Sequence, residues 1–254
     1  MEQDKCGLPD IEQFAGLQGN SCRYGLFNRH GGVSKGAFDS LNIGLAVGDA
    51  PELVAENRRL VKARMGVSHL LSGKQVHGEE VYSLAEPLTE DLEVDGYDAF
   101  ITNQPDVGLM VQHADCQALL LYDPENKVIG AVHSGWRGSV MNIIGTTVQA
   151  MQKEFGCNPG GMRAVVSPSL GPCCAEFVHY QKELPAHFQQ HMDDRLRFDF
   201  WQISRDQLLE QGLADSAIIL PGRCTSCSED YFSYRRACRE SNGITGRNCS
   251  VIAL

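Results

Sequence analysis

Between residues 67 and 133 the chain breaks into short, β-rich apolar runs separated by turn dipeptides, and this stretch constrains the fold more than any other. The runs fall at Leu70-Leu71, 80–84, 98–102, 107–112, 117–122 and 127–133, with the turn signals Asp95-Gly96 and Asp123-Pro124 between them. Such spacing predicts mainly antiparallel sheet. A helix precedes the block: Gly48-Asp49-Ala50-Pro51 supplies a cap and a first-turn proline, Leu53, Asn57, Leu60, Val61 and Arg64 follow, and Gly66 is the stop. A second helix is predicted over 139–155, with Val140, Ile143, Ile144, Val148 and Met151 on one stripe and Gly156 at its end. Later strands are expected at 163–167, 217–220 and 250–254, with a helix near 204–211. Runs of strands with inserted helices, rather than strict alternation, predict an α+β fold of mixed, mainly antiparallel sheets packed together and flanked by helices. No repeat, low-complexity stretch or long Pro/Ser linker divides the 254 residues, so 1–254 reads as a single domain, with 1–22 as a less ordered extension.

Lys and Arg number 22 and Asp and Glu 32, giving a net charge of −10. That balance disfavours long contacts with nucleic acid or an anionic membrane, so any phosphate must meet a local basic pocket. No apolar run reaches the ~18 residues of a membrane span, and the acidic start from Met1 to Cys6 resembles no signal peptide, so a soluble cytoplasmic protein is expected. At this length and without an export signal, the 10 cysteines read as free thiols or metal ligands rather than a disulfide framework.

Three chemistry-bearing residues stand at the ends of predicted strands or in the turns beside them: His77 in Lys74-Gln75-Val76-His77-Gly78, Cys116 in His113-Ala114-Asp115-Cys116, and His133 in His133-Ser134-Gly135-Trp136-Arg137-Gly138. Strand ends let distant side chains converge on one cavity. Two imidazoles and a thiolate suit zinc, with a fourth position left for water or substrate. The spacing matches no compact metal motif, and two other readings stand beside it: unrelated core and loop residues, or a Cys116–His133 hydrolytic pair in which imidazole activates the thiol.

The segments Arg29-His30-Gly31-Gly32-Val33-Ser34, Leu41-Asn42-Ile43-Gly44, Glu56-Asn57-Arg58, Gln75-Val76-His77-Gly78, Ala114-Asp115-Cys116, the His133 to Gly138 run, Cys224-Thr225, Phe232-Ser233-Tyr234-Arg235-Arg236 and Gly246-Arg247 resemble, in order and approximate spacing, the YfiH-like family, over residues 23 to 254. Its members have been called polyphenol oxidases or laccase-domain proteins and are better described as zinc-dependent purine nucleoside phosphorylases. The resemblance implies a zinc site at His77, Cys116 and His133, and a fold similar to the catalytic domain of cytotoxic necrotizing factor. It also implies phosphorolysis of adenosine, inosine and S-methyl-5'-thioadenosine, with adenosine deamination as a second activity. The family usually has Ala at Ser134 and a hydrophobe-Pro pair at Gln117-Ala118, departures that bear on substrate preference more than on metal binding.

Phosphorolysis needs an anionic nucleophile held beside the anomeric carbon, which makes Arg29, Arg58 and Arg137 the expected phosphate contacts. Arg58 has the alternative of an ion pair with Glu56 or Asp49. Deamination asks for water activated by a metal and a proton shuttle, for which Asp115 is the candidate if the backbone turns there. Asn42 and Gln75 are expected to touch substrate, with turn and surface roles as their alternatives. His113 reads more as a polar neighbour than as a fourth ligand. Cys224-x-x-Cys227 with Cys238 and Cys249 matches no common zinc ribbon, and Cys173-Cys174 reads as turn or buried thiols. Among other functions, a laccase would need His-x-His pairs, which the 8 histidines do not form, so copper is the lesser expectation. A non-catalytic nucleotide-binding protein is the third reading. The expected partners are purine nucleosides and phosphate, and the expected state is a monomer or small homo-oligomer.

Overall fold

The structure is a computed structural model that describes residues 8–14, 17 and 22–254. In chain order its strands are β1 (Ile11–Glu12), β2 (Arg23–Phe27), β3 (His69–Lys74), β4 (Val81–Leu84), β5 (Leu92–Asp95), β6 (Ala99–Thr102), β7 (Val107–His113), β8 (Gln117–Asp123), β9 (Val128–Ser134), β10 (Arg163–Val166), β11 (Ile218–Ile219) and β12 (Asn248–Ala253). The helices are α1 (Pro51–Met65), α2 (Trp136–Met141), α3 (Ile143–Phe155), α4 (Tyr180–Glu183), α5 (Phe200–Glu210) and α6 (Tyr234–Glu240).

One sheet runs β1-β2-β12-β7-β3-β5 and the other β11-β10-β8-β9-β6-β4. Antiparallel pairs such as β8 with β9 and β12 with β7 mix with parallel ones such as β3 with β7 and β4 with β6. The α+β expectation therefore holds, and the fold has four layers. Ala118, Leu120 and Tyr122 of β8 point to a core shared with Tyr24, Leu71, Leu109 and Ile252 of the other sheet. Leu119 and Leu121 point the opposite way, onto Ile144, Val148 and Met151 of α3. Strands buried on both faces read as continuous apolar runs, which is why the strand signal between 98 and 133 is so plain. On the far side, α1 places Val61 and Met65 against Phe27, Leu70, Met110 and Val251.

Three local expectations change. Within 67–133 the pairing is not mainly antiparallel: β3 with β5, β3 with β7 and β4 with β6 run parallel, against the antiparallel pairs β6 with β9 and β8 with β9, because the β7–β8 link crosses between sheets instead of closing a hairpin. The helix predicted over 139–155 is broken at Asn142, whose left-handed backbone (φ 59) ends α2 and whose side chain accepts from the Gly145 N–H to start α3. Within the expected N-terminal extension, Ile11–Glu12 pair with Leu26 and Phe27 of β2, while 1–7, 15–16 and 18–21 lie outside the described residues. By contrast, α1 has Pro51 in its first turn and Gly66 in the left-handed region (φ 65) at its end, as its sequence predicts. Among the described residues no helix is long and apolar enough to cross a membrane.

The topology gathers one end of the sandwich. Parallel pairing of β3 and β7 brings their C-terminal ends to the same edge, and the antiparallel register sets Gln117, at the start of β8, opposite Ser134, at the end of β9. Between β7 and β8 the chain passes from one sheet to the other in three residues, Ala114, Asp115 and Cys116, turning through a positive φ of 91 at Asp115.

Candidate metal centre

At that end, His77 from the loop after β3, Cys116 from the crossover and His133 from β9 bring one donor atom each to within 4.8 Å of one another. Cys116 Sγ lies 3.8 Å from His77 Nε2, and the two imidazole rings meet edge to face at 4.8 Å between centroids. His133 is buried, Cys116 half-buried and His77 exposed.

Asp98, fully buried, organises the set. Its carboxylate accepts from His133 Nδ1 at 2.7 Å and from the backbone N–H groups of Val76, His77 and Gly78 at 3.0, 3.0 and 2.8 Å. One carboxylate therefore orients one imidazole and shapes the loop that carries the other, with His77 itself at φ 62. Burial works against the ionised form of Asp98, but the His133 contact and the backbone N–H groups outweigh it and hold the carboxyl below its usual range. With Nδ1 engaged, His133 has Nε2 for a metal. Gly135 leaves the remaining room: a Cβ there would stand 2.9 Å from His77 Cδ2 and 3.0 Å from Cys116 Sγ.

Burial opposes the thiolate of Cys116, yet the charge of His133 and hydrogen bonds from both histidines bring its thiol down to about 6. Burial likewise opposes protonation of His133, while Cys116 and Asp98 push it up to about 9. A thiolate and imidazoles sharing protons in this way are what a divalent cation displaces protons from, so two nitrogens and one sulfur fit a three-ligand zinc site.

Two cavities flank the three residues and share His77, Ala114, Cys116 and Tyr234. One, of about 300 Å³, has Trp136, Leu170, Phe177 and Phe200 among its walls together with Asp115 and Arg235. The other, of about 610 Å³, is bounded by Gln75, Glu93, Gln112, His133 and Arg247.

The remaining expected site residues divide between wall and support. Asp115 lines the smaller cavity, but its carboxylate accepts from Thr225 Oγ1 at 2.7 Å and from the Arg235 backbone N–H at 2.5 Å, which joins two loops. Gln75 lines the larger cavity, with its amide paired reciprocally to the backbone of Gln112 at 2.8 and 2.9 Å. The other four are not among the residues lining either cavity. Arg29 stacks over Phe232 at 4.6 Å and donates to the Asp39 carbonyl. Arg58 pairs with Glu93 at 2.8 Å, a partner other than Glu56 or Asp49. Asn42 is buried, bonded to Asp49 and accepting from the Arg247 N–H at 2.9 Å. Arg137 is exposed, with its guanidinium over the Trp136 ring at 5.1 Å.

His113 stands apart from the three donors: its Nε2 lies 3.0 Å from Ser250 Oγ, and burial pushes its imidazole down to about 3. Gln117 and Ser134, where the chain departs from the family pattern, form buried polar pairs with Ser204 and Ser139 respectively. Sequence reasoning did not find Asp98, because nothing in a spacing of 35 residues ties it to His133. In the sequence Arg235 and Arg247 belong with Arg236 and Arg239 to a C-terminal basic cluster that reads as ion pairs first and phosphate or nucleotide recognition second; the structure sets Arg235 in the wall of the smaller cavity and Arg247 in that of the larger.

A family profile described as multi-copper polyphenol oxidoreductase laccase matches residues 23–254. The chain belongs to that laccase family. It is 31% identical, over 98% of its own length and 93% of the relative's, to purine nucleoside phosphorylase YlmD of Geobacillus stearothermophilus. It is 35% identical, over 89% of this chain and 91% of the other, to purine nucleoside phosphorylase YfiH of Escherichia coli. The crystal structure of hypothetical protein YfiH from Bacillus licheniformis is similar with a TM-score of 0.82 at 26% identity, covering 92% of each chain. These likenesses confirm the fold class and the expected family. The description's copper has no counterpart in His-x-His pairs here.

Proposed function

We propose that this laccase-family protein is a zinc-dependent purine nucleoside phosphorylase acting on adenosine, inosine and S-methyl-5'-thioadenosine, with adenosine deamination as its second activity. The observation that carries this reading is that two of the three metal-fit residues, His77 and Cys116, line both an apolar cavity and a more polar one, while the third, His133, lines the more polar one. The nearly full-length likeness to proteins named purine nucleoside phosphorylase supports it.

His77, Cys116 and His133 hold the ion. When bound, it supplies Lewis acidity and makes water nucleophilic near neutral pH. The purine lies in the smaller cavity, where Trp136, Phe177 and Phe200 offer flat apolar surface and exclude water. The sugar crosses the shared floor, and phosphate enters from the larger cavity, where Arg247 faces the Cys116 side. Arg247, whose guanidinium also donates to the Thr245 and Gly246 carbonyls, takes over the role expected of Arg29 and Arg58, which line neither cavity, while Arg137 reaches the smaller cavity only through Trp136, the wall residue its guanidinium covers. Asp115 becomes a positioning residue: by holding Thr225 and Arg235 it fixes one wall. Gln75 and Asn42 act similarly through Gln112 and Arg247.

The test is incubation of purified, metal-quantified protein with adenosine, with and without phosphate. Adenine and ribose 1-phosphate that form only with phosphate, and inosine with ammonia in either case, are the expected products. Absence of both sets overturns the proposal. Acyl or ester hydrolysis that survives chelation would favour the alternative, a hydrolase using Cys116 and His133, in which the imidazole's charge and hydrogen bond favour the thiolate.

A further inference from the structure

Away from the proposed centre, a second group of metal-ligating side chains converges. Cys173, Cys174, Cys224 and Cys227 place all four sulfur atoms within 4.8 Å of one another. Cys227 Sγ lies 3.5 Å from Cys173 Sγ and 3.4 Å from Cys174 Sγ, well beyond the ~2.05 Å of a disulfide. A tetrahedral zinc with ~2.3 Å bonds needs sulfurs about 3.8 Å apart. The gathered atoms are already near that spacing.

The backbone around them is built to keep them there. Residues 171–175 form a tight turn in which the N–H groups of Cys174 and Ala175 both donate to the Gly171 carbonyl, at 2.9 and 3.1 Å. That turn presents the adjacent cysteines side by side, which is how neighbours that would diverge on a strand share one point. Ser169 pairs with Cys224 in a parallel bridge, its N–H donating to Arg223 O and its carbonyl accepting from the Thr225 N–H. The Gly171 N–H points at Cys224 Sγ, 3.3 Å away. Two guanidiniums lie against the group: Arg197 donates to Cys173 O at 3.2 Å and Arg235 to Cys174 O at 2.8 Å. Four thiolates around a divalent cation carry a net charge of −2, which Arg235 is placed to offset, while Arg197 is shared with Asp193 at 2.6 Å.

We infer that Cys173, Cys174, Cys224 and Cys227 form a second, structural zinc site, closed by four sulfurs and without an open position for chemistry. Binding forms four Zn–S bonds, releases the four thiol protons and changes no oxidation state. The ion ties the 170–177 loop to the 224–228 turn. Leu170 and Phe177 of the first segment line the smaller cavity, and Thr225 of the second holds Asp115. The site therefore stiffens the wall of the proposed purine pocket without touching it. It uses Cys173-Cys174 in place of Cys238, which is exposed, and Cys249, which is buried on β12.

The experiment counts zinc in full-length protein purified under reductant and dialysed against zinc. Wild type should hold two ions per chain, and a variant carrying His77→Ala with Cys116→Ser should keep one. Adding Cys227→Ser to that variant should release the remaining ion, and this exposed position is chosen to spare the core. Cobalt substituted into the His77→Ala, Cys116→Ser protein should give intense thiolate-to-cobalt charge transfer and tetrahedral ligand-field bands. That protein's melting temperature should fall on chelation, a change that vanishes once Cys227→Ser is added. Zinc-free His77→Ala, Cys116→Ser protein, an octahedral cobalt spectrum, or a disulfide among these cysteines under the same reductant would each overturn the inference. None of these readouts depends on the enzymatic activity.

Discussion

Asp98 and His133 lie 2.7 Å apart, carboxylate oxygen to Nδ1, with both side chains buried. The contact chooses the tautomer of the imidazole and turns its other nitrogen towards Cys116. Asp98→Asn keeps the shape but weakens the acceptor, and metal affinity should fall about 10–100-fold. Competition with a chromophoric chelator measures it, with circular dichroism showing an unchanged fold; equal affinity would refute the role.

Gly135→Ala should disable the centre for steric rather than conformational reasons. Its backbone (φ −80) suits any residue, but the new methyl carbon would sit 2.9 Å from the His77 ring and 3.0 Å from the Cys116 sulfur. Crowding of this kind costs about 1–3 kcal/mol. Metal content should drop sharply while thermal unfolding shifts by only a few degrees, so full metal loading in the variant would contradict the geometry.

Arg247→Ala should raise the KM for phosphate about 10–100-fold, the loss of one charge-assisted hydrogen bond of roughly 1.5–3 kcal/mol. The KM for nucleoside should change far less. An equal rise in both would place Arg247 outside phosphate recognition.

Metal-stripped protein should show a wide spread of thiol reactivity. Cys116, brought down to about 6 by His133 and His77 against the pull of burial, is thiolate at neutral pH. Burial pushes the Cys22 and Cys157 thiols up to about 12. Iodoacetamide labelling followed by peptide mass spectrometry should modify Cys116 with a rate that saturates above about pH 7, and should leave Cys22 and Cys157 unmodified until the protein unfolds. Early labelling of Cys157 would count against this ordering.

Leu120→Ala, in the middle of β8 with no exposed surface, should cost about 2–5 kcal/mol because it removes a side chain from the core between the two sheets. Urea unfolding would register this as a lower midpoint, and a shift below 1 kcal/mol would mean that the core relaxes around the gap.

Legibility in the sequence followed how local the determining contacts are. The central strands and α1 could be read because apolar runs, Pro51 and Gly66 act through neighbours. The short α6 was missed, although Ser233 caps it by accepting from the Arg236 N–H. The break at Asn142 was hidden because the apolar stripe continues through it. His77, Cys116 and His133 were visible as donors, and the resemblance to a family singled them out as a set. Asp98, the uses of Asn42, Arg58 and Asp115, and the meeting of Cys173-Cys174 with Cys224 depend on partners brought close only by tertiary packing. Residue type alone could not distinguish an arginine held by Glu93 from one facing a cavity.

The three-residue passage from β7 to β8 has a mechanical consequence. His77 follows a strand of one sheet, His133 belongs to the other, and Cys116 rides on the link between them. An ion gripped by all three acts as a rivet through the sandwich: any sliding of the layers would pull the donors apart, so occupancy and alignment of the sheets rise and fall together.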